Sequence, residues 1–104
     1  MAWLYVLVAG LLETAWAFSL KLSHGFTRLF PTLATFALMA ASFWLLSLAM
    51  KKLPLGTAYT VWTGIGAAGA IVVGIIFLGE SASIPRLFCL ALILAGIVGL
   101  RLTS

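Results

Sequence analysis

The chain has 104 residues, 64% of them hydrophobic and only 8% charged, with a formal net charge of +4. Soluble domains carry about 25% charged residues, so this composition belongs to the membrane class. At about 20 apolar residues per span, the length accommodates four helices and short connections, with no room for a soluble catalytic domain and no enzymatic activity expected.

The first predicted span runs from about Trp3 to Leu20 and contains "VLVAGLLETAWAFSL". Ala15-Trp16-Ala17 superficially resembles a signal-peptidase site, but a positive n-region is absent and Glu13 interrupts the would-be apolar core, so a retained helix is expected. Within the spans, Glu13 is the only ionisable residue far from a membrane edge. A carboxylate at such depth costs on the order of 2.5–3.5 kcal/mol on insertion scales. Lys21 lies about 12 Å further along the axis, so an intrahelical ion pair is excluded. Two readings remain: a protonated glutamate bonded to hydroxyls in the bundle, or a binding group. Gly10 and Ala17 share its face and are expected to leave space around the carboxyl, while Trp16 borders that space with a π surface and one N–H donor.

A polar turn, "KLSHGFTR" (Lys21 to Arg28), leads to the second span, Phe30 to Met50, which Lys51-Lys52 closes. Ser42 lies near its mid-depth and is a candidate hydrogen-bond partner. The third span, Leu55 to Leu78, opens with "TAYTVWTG", which sets Tyr59, Trp62 and Thr63 on one face. "GIGAAGAIVVG" follows; its small residues permit close helix approach, and Gly64 and Gly66 weaken the helix enough to allow a bend. After the turn "GESAS" comes the fourth span, Ile84 to Leu102, whose Ala91, Ala95 and Gly99, with Gly96 beside them, form a small-residue stripe. That stripe serves helix contact either between subunits or within the chain. Cys89 reads as a small buried hydrophobe.

Pro31, Pro54 and Pro85 fall at or just before helix starts, where a missing N–H costs nothing, and none falls in mid-span. The short connections make successive helices antiparallel neighbours and put both termini on one side. Lys51, Lys52 and Arg101 then face that side, and Lys21, Arg28 and Arg86 the other. The positive-inside bias is zero. A chain without a preferred orientation can insert both ways, so that oppositely oriented copies can pair. Because the six basic residues flank apolar segments instead of sharing a polar face, nucleic-acid binding is excluded.

A carboxylate walled by Trp16, Tyr59 and Trp62 suits an organic cation, through charge and cation–π attraction. One acid without neighbouring His or Cys is thin coordination for a metal, and His24 belongs to a turn. The same carboxylate can bind a proton. If proton and cation compete for it, each leaves before the other binds, and alternating access turns that competition into antiport. No GxxxxGK[ST] motif supplies a nucleotide site, and no cofactor is expected.

On "AGLLETAWA", "SHGFTRL" and "LPLGTAYTVWTGIGA", the chain resembles the small multidrug resistance family over its whole length, and within it the guanidinium-exporting Gdx subtype, formerly SugE. The subtype cue is Trp16, where the quaternary-ammonium branch has a glycine; Thr60 departs from the usual alanine. The resemblance implies an all-α, antiparallel, dual-topology homodimer in the bacterial inner membrane, exchanging two protons for one guanidinium. It also implies that Glu13 of both copies binds substrate and protons, that Gly10, Trp16, Ser42, Tyr59 and Trp62 line the site or orient the acids, that Gly64 and Gly66 bend, and that the fourth helix dimerises. Rival expectations are an exporter of quaternary ammonium compounds, a cation channel, and a non-transporting membrane subunit.

Overall fold

The computed structural model describes residues 1–103. Among them four helices follow in order: α1 (Ala2–Leu22), α2 (Leu29–Ala49), α3 (Leu55–Phe77) and α4 (Ile84–Thr103). Each is long and apolar enough to cross a membrane. The physical reason for helices is general: in hydrocarbon every backbone N–H needs an internal partner, and a helix provides one without a second segment.

The ends follow local chemistry. Pro54 caps α3, whereas Pro31 and Pro85 fall inside the first turns of α2 and α4. The first four N–H groups of a helix have no intrahelical acceptor, so proline is tolerated there. Helix α1 continues through Lys21, which lies in its last turn and not in the connection; a cation there complements the exposed carbonyls. The α1–α2 turn is anchored by Ser23, fully buried, whose hydroxyl donates to the Leu20 carbonyl at 2.7 Å and accepts from the Phe26 N–H at 3.1 Å. His24, Gly25 and Phe26 take φ of 50°, 72° and 68°. Only the glycine does so without strain, and Phe26 stacks on Phe36 of α2 at 5.7 Å between ring centroids.

Helix α1 packs against both α2 and α3, and the backbone of α4 approaches only that of α3 closely. Val6, Ala9, Leu46, Ala49, Ala58, Val61 and Trp62 form the core. The Arg101 guanidinium lies 4.9 Å from the Trp3 ring centroid, bringing the two chain ends together. Outside the core the surface is apolar: Phe36, Trp44, Ile76, Phe88 and Leu92 are all exposed, as suits a lipid solvent. Helix α4 contributes no buried residue. Ala91, Ala95 and Gly96 face outward, Gly99 is partly covered, and nothing stands over the Cα of either glycine. Within the chain, therefore, that stripe packs against no other helix closely; Cys89 is likewise exposed, not buried as expected.

Candidate functional site

The seam between α1 and α3 is built from glycines that receive larger side chains. A Cβ on Gly10 would lie 2.6 Å from Ile65 Cγ2, so Ile65 occupies the space that Gly10 was expected to leave for the acid. One turn on, the Glu13 carboxyl lies directly against the bare Cα of Gly66. The next turn repeats the pattern, with the Thr14 side chain against Gly69. Any β-carbon at 66 or 69 would overlap these side chains, which is why the segment reads as a glycine-rich run. Thr14 also donates across the seam to the Gly66 carbonyl at 3.2 Å.

Among the described residues, Glu13 Oε1 and Trp16 Nε1 are buried side-chain polar atoms with no hydrogen-bond partner. They belong to residues one helical turn apart. An acceptor and a donor, both shielded from solvent and both unused, are costly to maintain, and each calls for an explanation.

A second polar node ties three helices together. Ser42 of α2, fully buried, donates to the Ala9 carbonyl of α1 at 2.7 Å. Its oxygen accepts from Trp62 Nε1 of α3 at 3.0 Å. Ser42 is thus committed to Ala9 and Trp62 and not to Glu13. Trp62 in turn meets Phe43 edge-on at 5.7 Å and Tyr59 at 5.6 Å.

The sequence-predicted residues therefore fall into distinct groups. Glu13, Trp16 and Gly66 belong to the α1–α3 seam, and Ser42 with Trp62 forms the buried node. Tyr59, 53% exposed, joins Thr60, Thr63 and Gly64 in lining an open groove of about 560 Å³ against Ile93, Gly96 and Ile97 of α4. The walls of that groove do not include Glu13, Trp16 or Ser42. Gly64 packs on Ile97 and α3 is continuous through both Gly64 and Gly66. Among the described residues no three His, Cys, Asp or Glu side chains are grouped to hold a metal ion. Thr14 was not among the expected site residues, Gly69 was expected only as one of the small residues of close helix approach, and Gly66 was assigned to bending without its role as the seat of the acid. The available signal was the glycine run of α3 itself, which offers bare backbone at 66 and 69 to a facing helix.

The family model described as Small Multidrug Resistance protein matches residues 1–93. A protein of Yersinia pseudotuberculosis named guanidinium exporter is 61% identical over 104 residues, covering all of both chains. Its namesake from Yersinia pestis is also 61% identical with the same coverage. One from Citrobacter freundii, again named guanidinium exporter, is 59% identical and covers all of this chain and 99% of its own.

Proposed function

The chain belongs to the small multidrug resistance family, and from that premise we propose that it exports guanidinium in exchange for protons, as an antiparallel dual-topology homodimer. Its four apolar helices and its family make it a multi-pass protein of the bacterial inner membrane. The name carried by its full-length relatives supports guanidinium as the cargo.

The observation that carries the mechanism is the buried, unpartnered Glu13 Oε1 within a membrane span. A carboxylate so placed is stable with a proton on it or a cation beside it, and not alone. Guanidinium is planar and weakly hydrated, and its N–H donors match a carboxylate fork. The Trp16 indole N–H is itself a donor, so it pairs with a carboxylate and not with the cation. It does not reach the Glu13 of its own chain, and a second copy supplies the acceptor. Two copies bring two Glu13 side chains to one site, and two protons leave for each guanidinium bound. The outward stripe of Ala91, Ala95, Gly96 and Gly99, on a helix with nothing buried, supports α4 as the dimer contact. Tyr59 and Thr63 then face a chamber that the single chain leaves open.

The test is exchange in proteoliposomes. A proton gradient drives guanidinium uphill with the wild type, and Glu13→Gln abolishes it while the dimer persists. Guanidinium affinity falls as pH is lowered, because protonation removes the charge that binds the cation. An affinity that is the same in acid and alkaline buffer would sink the competition. Export of quaternary ammonium is a second reading, favoured by the Phe43–Trp62–Tyr59 aromatic cluster, which can attract a cation lacking N–H donors. Tetrapropylammonium transported in place of guanidinium would replace the first reading with the second.

A further inference from the structure

The α1–α3 seam contains one hydroxyl that the exchange reading leaves unused. Thr14 follows Glu13 directly and is 9% exposed. A threonine inside a helix ordinarily bonds the carbonyl four residues back. Here the one hydroxyl hydrogen has two acceptors in reach, the Gly10 carbonyl of its own helix at 3.4 Å and, nearer, the Gly66 carbonyl of the facing helix at 3.2 Å. Gly66 is the residue whose bare Cα receives the Glu13 carboxyl, and the Thr14 side chain itself sits on Gly69. Two consecutive side chains of α1 are thus seated on two glycines of α3. Glu13 is held by shape alone, since no protein hydrogen bond orients its Oε1. Thr14 is held by shape and by a directional bond. A rotation or slide of α1 that breaks this bond also carries the carboxyl off Gly66.

We propose that Thr14 is a positioning residue for exchange, its hydroxyl fixing the register of α1 on α3 and with it the place of the Glu13 carboxyl. The consequence for transport rests on the reading of Glu13 as the group that exchanges cation and proton; the consequence for the carboxyl itself does not. The backbone carbonyl of Gly66 is present whatever side chain stands at 66, so the specificity of the contact lies in Thr14 and in the closeness of approach that glycine allows.

The experiment compares wild type, Thr14→Val and Thr14→Ser in lipid bicelles with 13C-labelled glutamate. The chain contains two acids, Glu13 and Glu80, so the Glu13 carboxyl is followed directly through a pH titration. Valine keeps the branched shape and removes the donor; serine keeps the donor. The expected result is a displaced Glu13 midpoint in Thr14→Val and a wild-type midpoint in Thr14→Ser. Guanidinium Kd rises about threefold in the valine variant, and by no more than about twentyfold, the span of interhelical hydrogen bonds measured in membranes. A merely structural threonine would lower thermal stability and leave the midpoint in place, which overturns the proposal. Equal displacement in both variants also overturns it, since the hydroxyl would not be the cause. If the valine variant does not assemble, Thr14→Ala is read against Thr14→Ser on the same criteria. A wild type that binds no guanidinium while Thr14→Val still displaces the midpoint refutes the transport reading and upholds the positioning one.

Discussion

Replacing Ser42 by alanine tests how the three-helix node holds α1, α2 and α3 in place. The substitution deletes one oxygen and two hydrogen bonds, 2.7 Å to the Ala9 carbonyl and 3.0 Å from the Trp62 indole. The two losses are unequal. A backbone carbonyl has two lone pairs and retains its helical partner. The indole has one hydrogen, and Trp62 is only 7% exposed, so its donor is stranded. An interhelical hydrogen bond in a membrane averages about 0.6 kcal/mol, and a stranded buried donor costs about 1–3 kcal/mol. Ser42→Ala is therefore expected to destabilise by about 2 kcal/mol. On a Trp62→Phe background the stranded donor is gone, and the same substitution costs only the Ala9 bond, about 0.6 kcal/mol. The coupling between the two positions is then about 1.4 kcal/mol, a tenfold change in the unfolding equilibrium. Reversible unfolding in mixed micelles followed by far-ultraviolet circular dichroism measures the four corners of the cycle. Additivity within about 0.3 kcal/mol would refute the node as the tie between α2 and α3.

Gly66→Ala places a methyl where the Glu13 carboxyl lies; overpacking of this kind costs about 1–3 kcal/mol, and guanidinium exchange should fall on the order of tenfold or more. Gly56→Ala, at a position with nothing within 4 Å of its added carbon, serves as the control, and equal exchange by both variants would count against the seat. Adding two lysines to the connection between α2 and α3 biases insertion to one orientation. The locked chain alone should lose exchange, and mixing it with a copy locked the other way should restore it; full activity from one locked form would rule out the antiparallel pair.

Much of this protein was legible before any coordinates. Four apolar runs separated by polar turns dictate four helices, because hydrocarbon leaves the backbone no other partner. A lone acid inside the first run is conspicuous for the same energetic reason, and its neighbourhood in "AGLLETAWA" carried the family resemblance that full-length relatives support. The remaining expectations fell short for a reason that is also physical. Which groups Ser42 would bond was not legible, and the structure joins it to the Ala9 carbonyl and to Trp62, itself a candidate site residue. Gly10 was expected to open space for the acid, and Ile65 fills it. Both depend on how each helix is rotated about its own axis.

In a soluble protein an amphipathic stripe reveals that rotation. In these helices lipid-facing and core-facing residues are both apolar, so Phe36 and Leu92 outside look no different from Val6 and Leu46 inside. The number of spans and the lone acid within the first of them are thus properties of the sequence by itself. The seating of Glu13 and Thr14 on Gly66 and Gly69, and the joining of Ser42 to Ala9 and Trp62, were decided by tertiary packing. Close approach of helices in lipid is settled by which small residues happen to meet, and that is a property of pairs of helices and not of any one run.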